Sequence, residues 1–327
     1  MLLLPLIPVA ILIVLANMGQ VDARFRWLTL VILLAMSVVV AAAGVVLMLV
    51  PPAILAAMLK PGLALGEGAS GGWLVASGGL TAVIVLAAMV AWTRAYGPGP
   101  RGQRWFRPVQ LTAAVLAFLF IGLNLAFASL IRDPRALAGN LQVGVVEVFL
   151  QNLAFVALSL LGVGLWLRRG WSEAWQRLGV TSLTPAHVTV AFTWAWGLVG
   201  LSLLAGGVLS VLFPQASANA EVLNQVVVGA FATPGGAILL GLLTGIGEEV
   251  LYRGALQPVF GIWLTSFIFA AHHLQYLSPA IVLVFGLGFA LGWVRQRWNT
   301  TTAALVHAIY NTTLVLLALA ASQALGT

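Results

Sequence analysis

Long apolar runs recur along the whole of this chain, and they restrict its possible folds more than any other feature. Runs of roughly 18 or more residues with almost no charge occur from the N-terminal to the C-terminal end rather than in one anchor. As a helix, a run of this length crosses a hydrocarbon layer about 30 Å thick. The runs are continuously apolar, whereas barrel strands would alternate polar and apolar residues. We therefore predict an all-α, polytopic integral membrane helical bundle.

Composition excludes several other classes of protein. Of the 327 residues, 61% are hydrophobic and only 7% are charged, which is incompatible with an ordinary soluble domain. The 15 Lys and Arg residues are scattered between the apolar runs and form no patch with interleaved aromatics, so no nucleic-acid partner is expected. Because the chain has no cysteine, disulfides, a thiolate nucleophile and a cysteine metal site are also excluded.

The apolar runs predict about ten transmembrane helices, and the first run reads as a membrane helix because it lacks the basic start and cleavage site of a signal peptide. The predicted spans are 2–18, 27–50, 72–93, 108–131, 143–167, 187–213, 230–254, 259–275, 279–296 and 301–322. The polar stretch 168–186 is then the longest cytoplasmic connection, and the lipid bilayer is the surrounding solvent.

Positive charge predicts the orientation of these helices. With the N-terminus outside, twelve basic residues fall on the cytoplasmic side: Arg24, Arg26, Arg94, Arg101, Arg104, Arg107, Arg168, Arg169, Arg177, Arg253, Arg295 and Arg297. Only Lys60, Arg132 and Arg135 remain outside. Because positive charge resists translocation, this split favours both termini outside. We expect a multi-pass protein of a bacterial or archaeal plasma membrane.

Two glutamates and an arginine lie at the cytoplasmic end of the seventh predicted span. The stretch GIGEEVLYRGALQP contains Glu248, Glu249 and Arg253. On a helix, Glu249 and Arg253 are four residues apart on one face and can neutralise each other. Glu248 is rotated by about 100° from Glu249 and remains available as a general base. The alternative is that all three groups form a solvated helix end in the headgroup region.

Two later spans carry further polar side chains. FIFAAHHLQYLSP contains adjacent His272 and His273, which cannot share a helical face, and Phe269 lies four residues before His273. LVHAIYNTT contains His307 and Asn311, which share one face and can both donate to an oxyanion. Packed core histidines and helix-to-helix hydrogen bonds are the alternatives. Three helices that each offer a polar face predict one convergent site.

These motifs resemble the CPBP family of membrane proteases, which includes type II CAAX prenyl endopeptidases and bacteriocin-processing or immunity (Abi-like) proteins. The family pattern is EExxxR, then FxxxH, then HxxxN or HxxxD, and all three occur here in that order. RLGV at 177–180 resembles the segment that precedes the family's helical core. The resemblance covers roughly residues 145–322. It implies a CPBP-like protease core at 143–327, preceded by an N-terminal four-helix membrane region at 1–142 with no assigned role.

The resemblance implies an intramembrane endopeptidase that hydrolyses a peptide bond of a membrane-associated, or lipidated, protein or peptide. Glu248 would activate water with His273, and His307 and Asn311 would stabilise the oxyanion. Arg253 would hold Glu249. His272 is an additional imidazole, and the Phe269 spacing favours His273 as the residue that faces the site. The oligomeric state is not indicated by the sequence.

The sequence leaves two questions open: whether the site uses a metal ion, and whether the protein is an enzyme at all. If a divalent metal such as zinc is present, Glu248, His273 and His307 would supply the His₂Glu set found in zinc enzymes. No H-E-x-x-H motif fixes two ligands on one helix, and a mechanism with no cofactor is favoured. The other possible functions are a catalytically silent membrane scaffold or immunity protein, and a proton-coupled transporter that uses Glu248 and the histidines as a relay.

Overall fold

The structure is a computed structural model that describes residues 6–51, 54, 69–94, 107–130, 138, 143–273 and 279–325. These residues form helices and turns, with no strand beyond one isolated bridge between Leu165 and Arg169. The predicted all-α fold is therefore confirmed. The described chain divides into two compact units, one comprising Ile7–Leu137 and the other containing Ala138–Thr327.

The first unit consists of apolar helices packed on a shared core. Its described helices are α1 (Leu6–Met18), α2 (Ala23–Leu49), α3 (Ala69–Arg94) and α4 (Pro108–Leu130). Leu12, Leu30, Leu33, Val85 and Val115 meet in a buried cluster to which all four helices contribute. The helices α2, α3 and α4 are each long and apolar enough to cross a membrane, and the shared core is apolar, so this unit is a small membrane bundle.

The second unit is larger and carries all the motif residues. Its helices are α5 (Val145–Val163), α6 (Trp171–Arg177), α7 (Pro185–Leu212), α8 (Pro214–Val228), α9 (Pro234–Glu249), α10 (Gln257–His272), α11 (Ile281–Arg297) and α12 (Thr300–Leu325). A short 3₁₀ turn, Gly229–Phe231, precedes α9, and a π-helical segment, Val250–Leu256, joins α9 to α10.

Seven helical stretches in the described ranges are long and apolar enough to cross a membrane. They are Ala23–Leu49, Gly71–Thr93, Pro108–Ser129, Val145–Val163, Pro185–Leu212, Pro234–His272 and Thr300–Ala324. The predicted spans 230–254 and 259–275 both lie largely within the continuous stretch Pro234–His272. Span 2–18 corresponds to the shorter α1, and span 279–296 to α11, which has 17 residues. Of the charges used for orientation, Lys60, Arg101, Arg104, Arg132 and Arg135 lie outside the described residues.

The helix α8 replaces the loop expected between the predicted spans 187–213 and 230–254. Pro214 begins this helix directly after α7, where its fixed φ and missing N–H suit a first turn. Its sequence PQASANAEVLNQVVV is too polar and too short to register as a span. The sequence pattern therefore missed a structured element that lines the site described below.

The predicted break between the seventh and eighth spans is also different in the structure. The backbone continues as the π-helical segment, and the change of direction comes later, at Gly261. Gly261 has φ 76°, a left-handed conformation that glycine adopts without a side-chain clash. The helix beyond Gly261 ends at His272, so His273 lies just past its last turn.

The helices α9 and α12 approach each other closely, and this contact brings the motifs together. A Cβ atom placed on Gly245 would lie 2.7 Å from the carbonyl oxygen of Ala304 and 2.8 Å from the backbone nitrogen of Ala308. Small residues at a membrane helix interface allow such an approach of two backbones. Glu248 and Glu249, one turn beyond Gly245, are therefore held next to His307 on α12.

Candidate functional site

Glu249 lies at the centre of a buried network of charged and polar groups. Its Oε2 is 3.2 Å from Nε of Arg253, and its Oε1 is 3.0 Å from Nδ1 of His307. Glu249 and Arg253 are fully buried and His307 is 2% exposed. The predicted pairing of Glu249 with Arg253 is thus present in the structure, and His307 is a second partner that the spacing did not indicate.

Glu248, the neighbouring carboxylate, faces His273 across a short gap. Oε2 of Glu248 lies 3.9 Å from Nε2 of His273, beyond direct hydrogen-bond distance. Nδ1 of His273 is 2.8 Å from the carbonyl oxygen of Phe269, and a carbonyl can only accept, so Nδ1 donates. In the neutral ring Nε2 is then an acceptor. Two acceptors therefore face each other across a gap of the size that one water molecule bridges with its two O–H groups.

His272 occupies a different environment from His273. Its ring packs edge-on against Phe155, with ring centres 5.4 Å apart, and lies 6.1 Å from the ring of Tyr252. These aromatic contacts flank His272 on one side, while Nε2 of His273 lies 3.9 Å from Oε2 of Glu248. The Phe269 spacing favoured His273 as the residue that faces the site, and that choice stays a prediction.

Phe269 connects the motifs through packing. The fully buried ring lies 4.6 Å from the ring of His273 and 6.0 Å from that of His307, and the guanidinium carbon of Arg253 lies 4.8 Å from its centre. The same residue supplies the carbonyl oxygen that fixes the tautomer of His273. A phenylalanine four residues before the histidine therefore has both a packing role and a hydrogen-bonding role.

Asn311 is oriented by a residue that the sequence did not single out. Thr244 donates its hydroxyl proton to the carbonyl oxygen of Leu240 at 2.8 Å, so its oxygen can only accept from Asn311. Nδ2 of Asn311 lies 2.9 Å from that oxygen. Thr244 is one turn before Glu248 on α9, and this i, i+4 relation is the one sequence feature that could have identified it.

These side chains line a cavity of about 870 Å³ within the second unit, which is in the size range of enzyme pockets. Glu248, His272, His273, His307 and Asn311 are all on its wall, together with Thr244. The rest of the wall is mainly apolar and comes from α5, α7, α8, α11 and α12. Of the six predicted site residues, Glu249 and Arg253 lie behind this wall rather than on it.

The RLGV segment supports the site from outside. Thr300 at the start of α12 donates its hydroxyl to the carbonyl oxygen of Leu178 at 2.6 Å and its N–H to that of Gly179 at 3.0 Å. Arg177 donates to the carbonyl oxygen of Gly254, in the π-helical segment, at 3.4 Å. The segment therefore joins the start of α12 to the stretch that contains Arg253.

The possible metal set does not fit this arrangement. Among the described residues, no three His, Asp or Glu side chains are grouped closely enough to hold a metal ion. His307 does turn Nδ1 toward a carboxylate, as metal-bound histidines often do. However, Glu248, His273 and His307 do not form such a group in the described structure, so no step below involves a metal.

The fold and this cavity define a multi-pass α-helical membrane protein with buried ionisable groups around an internal cavity. Residues 230–313 match the family described as type II CAAX prenyl endopeptidase Rce1-like. This stretch contains all six predicted site residues, and the family recognised in the sequence is thereby confirmed for this region of the chain.

One curated relative extends the comparison. The uncharacterized protein YpbD of Bacillus subtilis (strain 168) is 46% identical over 64 residues, which make up 19% of this chain. The match spans 33% of the length of that relative. No solved structure matches the chain.

Proposed function

We propose that this protein is an intramembrane endopeptidase that uses Glu248 to activate water. The observation that carries the proposal is the pair of facing acceptors, Oε2 of Glu248 and Nε2 of His273, 3.9 Å apart on the cavity wall. A water molecule that donates one proton to each acceptor directs its oxygen lone pairs toward the cavity. That is the orientation required for attack on a peptide carbonyl carbon.

The proposed reaction is a two-step hydrolysis. Glu248 takes a proton from the water as the oxygen attacks the carbonyl carbon, and a tetrahedral oxyanion forms. Collapse of this intermediate breaks the C–N bond, and Glu248 returns the proton to the leaving amine. The products are a carboxylic acid and an amine, and the glutamate is restored.

We assign the oxyanion to His307 and Asn311, which stand one turn apart on α12. Asn311 has one N–H bonded to Thr244, which leaves its second N–H for the substrate oxygen. Nδ1 of His307 donates to the Glu249 carboxylate, so Nε2 of that ring donates to the oxyanion only when both ring nitrogens carry a proton. Glu249 and Arg253 are positioning residues in this scheme.

The proposed substrate is a membrane-associated protein or peptide. The cavity wall is largely apolar, and the helices around it are long enough to lie in a bilayer, which favours an apolar chain over a free polar peptide. The family match over residues 230–313 supports the same reaction class.

The test compares purified full-length protein with its Glu248→Gln variant on panels of transmembrane and lipidated peptides in detergent micelles. New termini are detected by mass spectrometry in water enriched in ¹⁸O, and hydrolysis places ¹⁸O in the new carboxylate. Glu221→Gln is the matched control because Glu221 also lines the cavity but lies on α8. We expect Glu248→Gln to lose at least a hundredfold in rate, the low end of general-base effects, and Glu221→Gln to stay within threefold.

Two outcomes would contradict the proposal. Equal cleavage by wild type and Glu248→Gln would show that another group activates the water. Absence of cleavage across the panel, combined with rescue of a cellular phenotype by Glu248→Gln, would favour a catalytically silent scaffold instead.

A further inference from the structure

A cluster of arginines lies on the stretch between α5 and α7, and none of them lines the cavity of the candidate peptidase site. Arg168, Arg169 and Arg177 line a cleft of about 440 Å³, together with Gln176 and the carboxylate of Glu173. Three guanidinium groups share this cleft with one carboxylate, and Glu173 is already engaged by the N–H of Gly170 at 2.9 Å. The cleft therefore carries a local excess of positive charge.

The cluster is held by ordered backbone rather than by a loose loop. The carbonyl oxygen of Gly164 accepts from the N–H groups of Arg168 at 2.9 Å and Arg169 at 3.0 Å, and the N–H of Trp166 donates to the carbonyl oxygen of Arg169 at 2.9 Å. The guanidinium of Arg169 also donates to the carbonyl oxygen of Val163. This turn fixes the backbone of both arginines at the end of α5.

The arginines repel one another in the absence of an anion. Burial, together with the neighbouring Arg169 and Arg295, lowers the pKa of Arg177 from its ordinary value. An anionic group in the cleft would relieve that repulsion. Planar guanidinium groups bind phosphate oxygens in a bidentate manner, so phosphate is the anion that best fits three of them.

Two exposed tryptophans beside the cleft indicate that this phosphate belongs to a membrane lipid. Trp166 is 78% exposed and Trp171 is 55% exposed, and their rings stack with centres 6.5 Å apart. Such rings are typical of the headgroup layer of a membrane. The turn also joins two helices, Val145–Val163 and Pro185–Leu212, that can each span a bilayer, so the cleft lies at the level of lipid phosphates.

We propose that the cleft formed by Arg168, Arg169 and Arg177 binds the phosphate of an anionic phospholipid. The bound headgroup would sit against α6, whose last residue, Arg177, contacts the π-helical segment and whose following residues hold the start of α12. This inference is independent of the proposed peptidase reaction, because none of these arginines lines the large cavity.

The experiment measures lipid retention on the full-length protein by native mass spectrometry. Delipidated protein in detergent is titrated with phosphatidylglycerol, or with phosphatidylcholine as the zwitterionic comparison. Arg168→Glu is compared with Arg297→Glu, which makes the same charge change at another exposed arginine at the end of α11 that does not line the cleft. Since one basic side chain near an anionic surface contributes about a fivefold preference, the reversal in Arg168→Glu should lower phosphatidylglycerol affinity by about tenfold or more. Arg297→Glu should stay within twofold.

Several results would overturn the proposal. Equal losses in the two variants would mean that only net charge matters. Equal retention of phosphatidylcholine and phosphatidylglycerol by the wild type would exclude charge recognition. Displacement of the lipid by an equal concentration of inorganic phosphate would make free phosphate the ligand.

A second measurement covers the case in which Arg168→Glu does not fold. Phosphatidylglycerol should raise the melting temperature of the wild-type protein more than phosphatidylcholine does, and Arg168→Gln should reduce that difference. An equal rise with both lipids would count against the site.

Discussion

Nδ1 of His307 lies 3.0 Å from Oε1 of Glu249, which links the N-terminal third of α12 to the end of α9 through a buried hydrogen bond. The other carboxylate oxygen faces Arg253 at 3.2 Å. One carboxylate thus contacts a guanidinium and an imidazole, and all three groups are buried. Since a buried charge without its partner is costly, the three groups should be energetically coupled.

Glu249→Ala should lower the free energy of unfolding by about 3–5 kcal/mol, because it leaves Arg253 buried without a counter-charge. The double variant Glu249→Leu with Arg253→Leu should lose less than Glu249→Ala alone, since no unpaired charge remains. Unfolding in mild detergent, followed by circular dichroism, measures both. Glu221→Ala is the control, and an equal effect of Glu221→Ala and Glu249→Ala would show that the network does not stabilise the fold.

His273 and His272 should differ sharply in their effect on hydrolysis. His273→Ala removes the acceptor that faces Glu248 and should lower kcat by a hundredfold or more. His272→Phe keeps a ring against Phe155 and should lower kcat by less than tenfold. Steady-state kinetics on a peptide that the protein cleaves measure both variants. A larger loss of kcat in His272→Phe than in His273→Ala would assign the role opposite Glu248 to His272.

Thr244→Val should lower kcat by about fivefold to tenfold with little change in KM. It removes the oxygen that orients Asn311 while keeping the shape of the side chain, and such a hydrogen bond contributes about 1 kcal/mol. Thr244→Ser should restore the rate because it retains the hydroxyl. Thr313→Val is the matched control, since Thr313 donates to a carbonyl four residues back but lies off the cavity wall. An equal loss in both valine variants would assign the effect to helix stability.

Much of the fold could be predicted from the sequence because a bilayer limits the options. In a bilayer, runs such as Ala23–Leu49 and Pro185–Leu212 can satisfy their backbone hydrogen bonds only as helices. Their secondary structure therefore follows from length and apolarity. The helix α8 could not be found in this way because it is short and partly polar. The π-helical segment was not predicted either, since over seven residues its hydrophobic pattern does not differ enough from that of an α-helix.

Residue spacing alone predicted only those contacts of the candidate site whose partners lie on one helix. The four-residue spacing indicated the pair of Glu249 and Arg253, and that pair is present. The contact of His307 with Glu249 joins residues 58 positions apart, and its distance depends on how closely α9 and α12 pack. The link from Thr244 to Asn311 spans 67 positions and depends on the same contact. Spacing within one helix carries no information about such pairs.

Gly245→Ala should disturb both stability and the site. The added Cβ would meet the backbone of α12 at 2.7–2.8 Å, so the two helices must move apart. Overpacking of this kind costs about 1–3 kcal/mol, and a shift of a few tenths of an ångström would lengthen the contact between Glu249 and His307. Gly235→Ala on the same helix is the control, because a Cβ atom placed on Gly235 would have no neighbour within 4 Å. Unfolding free energy and kcat are measured for both, and equal values would mean that α9 and α12 tolerate a wider separation.

Removal of metal ions by chelation distinguishes the metal-dependent mechanism from the metal-free one, both of which the sequence left open. Glu248, His273 and His307 do not converge as a ligand set in the described structure, and Nε2 of His273 faces a carboxylate across a gap suited to water. We therefore expect activity to persist after dialysis against EDTA and 1,10-phenanthroline. We also expect elemental analysis to find less than about one metal ion per ten chains, well short of the one ion that a catalytic site requires. If chelation abolished activity and stoichiometric zinc restored it, Glu248, His273 and His307 would have to bind a metal ion together. Glu248→Gln would then lose zinc as well as activity.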